Sequence, residues 1–166
     1  MATFGLRLGT PTARFGEARL RTRRRELFGL GMLLMVGCGQ SVPTAASDVA
    51  FASACDEAND GTRVAVQGYL RLPASFTGER SVVLRLYETD AFAGSPVGVQ
   101  VQFGSQANQV DTVPTSFDDD DLSVHLSDGG TAGYGTPVKV SGTVYYPLVD
   151  QDFECGMKDV LVEAAG

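Results

Sequence analysis

The chain has 166 residues, with 13 Lys plus Arg against 20 Asp plus Glu and a formal net charge of −7. That total joins two segments of opposite sign: residues 1–37 carry seven Arg and two Glu, a net +5, whereas residues 38–166 carry six basic residues against eighteen acidic ones, a net −12. A hydrophobic fraction of 43% over this length suffices for one core, which excludes wholesale disorder and a multidomain enzyme, and no run reaches the ~18 apolar residues of a bilayer-spanning helix.

Ala2 to Arg25 is rich in arginine and leads into an apolar run of eleven residues, Leu27 to Gly37, that stops at Cys38. Basic, then apolar, then small is the layout of a secretory signal, whose central region spans ~7–15 residues. Met35-Val36-Gly37-Cys38 resembles the lipobox of bacterial lipoproteins, with Met35 where Leu is commoner. The resemblance implies that 1–37 is a signal peptide and that Cys38 is thioether-linked to diacylglycerol. Residues 38–46 then form a lipidated tether, small and polar after the cysteine. More than one acyl chain gives stable anchoring, and Gly39 in place of Asp implies the outer membrane if the envelope is Gram-negative. Thr22 to Phe28, with Arg24-Arg25, resembles a twin-arginine export signal; the general secretory route is the alternative. A mitochondrial transit peptide also accounts for the arginines but has no need of the lipobox.

Two cysteines then remain, Cys55 and Cys155. Outside the cytosol an even pair favours a disulfide, the alternative being two unrelated buried thiols. Ser47 reads as a helix N-cap with Asp48 in the first turn, Phe51, Ala54, Cys55 and Ala58 follow at helical spacing, and Gly61 stands where a helix ends. This predicts a short N-terminal helix that buries Cys55 near Cys155.

From Arg63 the period changes to two. Val64, Val66, Gly68, Leu70 and Leu72 alternate with Arg63, Ala65, Gln67, Tyr69 and Arg71, and strands of the same pattern follow near 82–86, 97–103, 122–126, 138–145 and 160–162. Residues 61–70 and 135–144 share the frame GTxVxVxGx followed by Leu or Val. A glycine at a buried strand position requires a bend or a close backbone approach, which suits a small closed barrel. The frame is similar to that of the first and fourth strands of the OB-fold. The resemblance spans about residues 54–164 and implies an all-β, OB-fold-like barrel within 47–166. Residues 104–121 lack helical periodicity where many OB-folds carry a helix, so a loop or an extra strand must replace it.

A net −12 opposes nucleic-acid binding, because counterion release dominates that affinity. Arg63, Tyr69, Arg71, Arg85 and Tyr87 fall on outward strand positions and suggest a docking surface for a glycan, peptide or protein; cross-strand packing is the alternative. Asp118 to Asp121, and the alternating Asp150, Asp152 and Glu154, are oxygen-rich enough to raise Ca²⁺ binding, although no EF-hand loop occurs and the run reads first as a solvated acidic loop. His125 is the only histidine, with Ser123 two residues away, but no GxSxG, HExxH, phosphate-binding loop or CxxC accompanies it. The expectation is a membrane-anchored, extracytoplasmic lipoprotein without enzymatic activity, cofactor or resident metal, serving as a binding or envelope-scaffolding module. Its expected partners are the membrane, through the anchor, and an envelope protein or glycan. The alternative is a calcium-dependent adhesion or glycan-binding module.

Overall fold

A computed structural model describes residues 43–147 and 152–166. The expected signal peptide, the expected lipidation site Cys38 and Asp150 lie outside the described residues. In chain order the strands are β1 (Ser47–Asp48), β2 (Arg63–Arg71), β3 (Ser81–Tyr87), β4 (Val97–Phe103), β5 (Gln109–Val110), β6 (Ser123–His125), β7 (Thr131–Gly133), β8 (Pro137–Tyr145) and β9 (Gly156–Ala164).

Five of these close a barrel. β2 pairs antiparallel with both β3 and β8, β3 pairs antiparallel with β4, β4 runs parallel to β9, and β9 returns antiparallel to β8. That circuit, with its one parallel closure, is OB-fold-like, and the protein is all-β as its period-two runs require. Val66, Leu70, Leu84, Leu86, Val99, Val101, Val138, Val140, Val144, Met157 and Val162 fill the interior. The segment at 104–121 supplies the extra strand, β5, which pairs parallel to β4 and carries β6 and β7 as an arm outside the barrel.

The two copies of the repeat are neighbours, β2 against β8, in a register that places Gly68 opposite Val138 and Val64 opposite Gly142. A β-carbon at Gly68 would lie 2.4 Å from the Tyr87 carbonyl oxygen of β3, and one at Gly142 would lie 2.8 Å from Met157 Cβ of β9. Each glycine therefore lets its strand curl against a neighbour's backbone. Opposite Gly142, β9 carries a bulge with Asp159 at φ 52°.

The expected N-terminal helix is absent, and this corrects the sequence reading. Ser47 caps nothing: with Asp48 it forms β1, parallel to Val64 and Ala65 of β2, and the Val49 N–H extends the pairing to the Ala65 carbonyl at 2.9 Å. Phe51–Ser53 and Glu57–Asn59 are separate single turns of 3₁₀ helix. A helix of this length is marginal, since nucleation is costly and isolated helices need ~12–15 residues. Pairing to β2 removes its first residues, and Asn59 donates its side-chain amide to the Ser53 carbonyl at 2.7 Å, holding the chain between the turns. The segment is tied to the barrel by the disulfide between Cys55 and Cys155, with Cα atoms 5.5 Å apart at a sequence separation of 100.

Candidate functional site

Antiparallel pairing of β2 and β3 sets Tyr69 opposite Tyr87 and Arg71 opposite Arg85. The loop that follows β3 turns back with Phe92 at φ 51°, a left-handed conformation that costs a bulky side chain energy and must be held by its surroundings. Four rings do this. Phe92 meets Tyr69 and Tyr87 edge-on, at 6.5 and 5.6 Å between centroids, and stacks on Tyr134 at 4.6 Å and 11°. Tyr134, flanked by Gly133 and Gly135, is 40% exposed. The Arg71 guanidinium lies 5.6 Å from the Phe92 centroid.

Arg71 is itself fixed. It donates a fork to Asp119, at 3.0 and 3.1 Å from Nε and 2.9 Å from one terminal nitrogen, and this bond raises the guanidinium pKa further above its ordinary value. Asp119 is aimed by the turn it begins. Asp118 accepts from the Asp120 N–H at 3.0 Å, while Asp121 accepts from the Asp118 N–H at 2.9 Å, a reciprocal capping box. Three of the four carboxylates in this acidic run are thus committed to protein donors. Among the described residues no group of three or more His, Cys, Asp or Glu side chains converges on a metal position.

Arg63 and Arg85 do not join the patch. Arg63 donates to three carbonyls, Thr44 at 2.6 Å, Asp159 at 2.6 Å and Ser141 at 3.3 Å, pinning the start of the domain to the β9 bulge. Arg85 is not the exposed residue that strand alternation predicts; it is 8% exposed. Phe153 covers it, its ring centroid 4.7 Å from the guanidinium and its edge in the space above Gly98. Arg85 also pairs with Asp152 and donates to the Val83 carbonyl at 2.7 Å, and its Nε is buried without a partner. The Arg85 hydrogen bond lowers the Asp152 pKa.

His125 Nε2 lies 2.9 Å from Asp111 Oδ1, and hydrogen bonds from His125 first and Ser123 second lower the Asp111 pKa. The carboxylate here sits between the hydroxyl and the imidazole. Nucleophile activation requires the imidazole between the other two, so this trio does not form that relay.

Of the outward strand residues singled out in the sequence, the structure brings Tyr69, Arg71 and Tyr87 together; Phe92 and Tyr134 are not among them, and Asp119 is named only within the acidic run. The last three are in turns where no periodicity operates; an aromatic residue between two glycines is the one local signal for Tyr134. The molecule is a small, disulfide-stapled, OB-fold-like β-barrel bearing a preorganised aromatic and arginine patch. No protein-family model, curated protein or solved structure matches the chain.

Proposed function

We propose that this protein is a non-catalytic recognition domain, exported and anchored to the bacterial cell envelope through a lipidated Cys38, that docks an envelope protein on its aromatic patch. The observation that carries the reading is the four-ring cluster around Phe92, with an aromatic residue held in a left-handed backbone and an arginine already aligned by Asp119. Tyr and Arg dominate the energetic centres of protein interfaces because they bring large area at low entropic cost, and prior alignment lowers the cost further. Exposed carboxylates flank these residues along the chain, Glu88 and Asp90 on the loop that carries Phe92 and Asp118 and Asp120 on either side of Asp119. A partner with a basic rim around an apolar centre fits this arrangement.

Cross-linking in intact cells tests the docking. Tyr134→Ala and Arg71→Glu should each weaken a partner complex by about tenfold or more, consistent with loss of a central contact. A complex that survives both substitutions would sink the assignment to this patch. The address has its own test: intact-mass spectrometry should show a diacylglyceryl modification on an N-terminal Cys38, and a chain still beginning at an unprocessed Met1 refutes it.

A further inference from the structure

A separate groove of about 810 Å³ opens where β4 and β9 part. The two strands pair only at Gly98 with Gly156 and at Val99 with Met157; beyond that point Gln100 and Gln102 of β4 and Lys158 to Val160 of β9 become lining, joined by Arg80 and by the 106–109 turn. The volume is that of a binding site for a small or oligomeric ligand.

The chemistry of the lining is unusual for this acidic domain. Gln109 Oε1 accepts from the Gln106 N–H at 3.0 Å, and Asn108 Oδ1 accepts from the Val162 N–H at 2.7 Å. Their carbonyls are therefore spent on the protein, and their amide N–H groups remain as donors. Gln100 and Gln102 are exposed on β4 and each offers both a donor and an acceptor. Arg80 and Lys158 form no ion pair among the described residues, and Asp159 is the one carboxylate of the lining. The Asp159 carbonyl is held by Arg63, so the bulge that presents Lys158 is fixed in place.

We infer that this groove binds an acidic oligosaccharide, with the amides meeting its hydroxyls and with Arg80 and Lys158 meeting its carboxylate or sulfate groups. Amide side chains match hydroxyl groups because both donate and accept. A nucleic acid fits poorly, since no aromatic side chain lines the groove for stacking and two cations provide little counterion release. A protein partner would want a large aromatic or aliphatic anchor, whereas the apolar side chains of this lining are the small Pro43, Ala107 and Val160. The site is independent of the aromatic patch and of the partner proposed for it.

Calorimetric titration of the full-length chain in detergent micelles tests the inference, with two anionic probes, a short oligogalacturonate and a chondroitin sulfate fragment, and the methyl-esterified oligogalacturonate as uncharged control. At least one anionic probe should bind saturably, and the esterified control should bind about tenfold more weakly, the size of one lost charge-assisted contact. Arg80→Glu combined with Lys158→Glu should abolish binding of the charged probe. Gln100→Leu combined with Gln102→Leu should weaken charged and esterified forms alike, and Tyr134→Ala should leave both unchanged. All these positions are at the surface, so an unaltered melting temperature checks that the variants fold. The inference is overturned if neither anionic probe binds, if the esterified control binds equally, or if the double charge reversal has no effect. Binding to phosphatidylglycerol vesicles in place of the sugars, lost in the same variants, would reassign the groove to lipid headgroups and overturn it too.

Discussion

Gly68 and Gly142 are the positions where one carbon atom decides whether the barrel closes. A methyl group at Gly68 meets a backbone oxygen at 2.4 Å, which gives way only if β3 moves. Gly68→Ala should therefore cost about 2–3 kcal/mol in thermal or urea unfolding, and Gly142→Ala, which meets the Met157 and Val160 side chains before any backbone atom, about 1–2 kcal/mol. Equal, small losses at both sites would contradict the close approach. Arg85 illustrates the opposite economy, a buried charge retained by one carboxylate. Asp152→Asn removes that partner and should cost about 1–3 kcal/mol, whereas Arg85→Met, which leaves only the exposed Asp152 charge and no buried one, should cost less. The pH dependence has a definite sign. Asp152 and Asp111 both have pKa values lowered in the folded state, by hydrogen bonds from Arg85 and from His125 respectively. Their contribution is present above the ordinary unfolded aspartate value and is lost as pH falls through the folded one. Both carboxylates are about half or more exposed, so the effect is modest; Asp111→Asn should lower the neutral plateau by that modest amount and leave stability at acid pH nearly unchanged, which flattens the acid limb of the profile.

Among the elements, the strands and the N-terminal segment teach different lessons. Strands β2 and β8 were legible because valines at every second position, interrupted by one glycine, are compatible with few structures other than a curling strand buried on one face. The segment from Ser47 to Gly61 misled because its apolar residues fall at helical spacing, yet its backbone gains more from pairing with β2 and from two tight turns than from a helix too short to nucleate well. The loop after β3 lay beyond periodicity altogether. Phe92 is held in a left-handed conformation by three other rings, so two effects oppose each other at this position. Phe92→Gly relieves the backbone while deleting the ring contacts, and the folded state should change by no more than about 1 kcal/mol in calorimetric melts. Partner cross-linking should nonetheless fall sharply in this variant; a variant that melts normally and still cross-links fully would show that the strained ring has no part in docking.

At the level of the whole molecule, the disulfide joins the segment before the barrel to the start of its last strand, so nearly the entire domain lies inside one covalent loop. Chain-entropy arguments give ~4–5 kcal/mol for a loop of this length, and reduction, or Cys55→Ser with Cys155→Ser, should lower the unfolding free energy by that order. A melting curve unchanged by reductant would show that β9 is held by its pairing to β8 and β4 without help from the disulfide. The charge of residues 38–166, −12 against the −7 of the full chain, also acquires a location. The acidic run Asp118 to Asp121 abuts the aromatic patch through the Asp119 bond to Arg71, while two of the domain's few cations stand at the amide-lined groove.

The sequence by itself determined the alternation of the barrel strands, the two glycines that bend them and the cysteine pair, because each depends on local periodicity or on residue type and count. It also placed Tyr69, Arg71 and Tyr87 on a common face, since strand alternation is a short-range rule. Only the tertiary structure decided which arginines are available. Arg71 is presented by Asp119 across 48 residues, Arg85 is covered by Phe153 across 68, and Arg63 is consumed by carbonyls at Thr44, Ser141 and Asp159. The identity of such long-range neighbours follows from closure of the barrel, which local patterning along the chain does not encode.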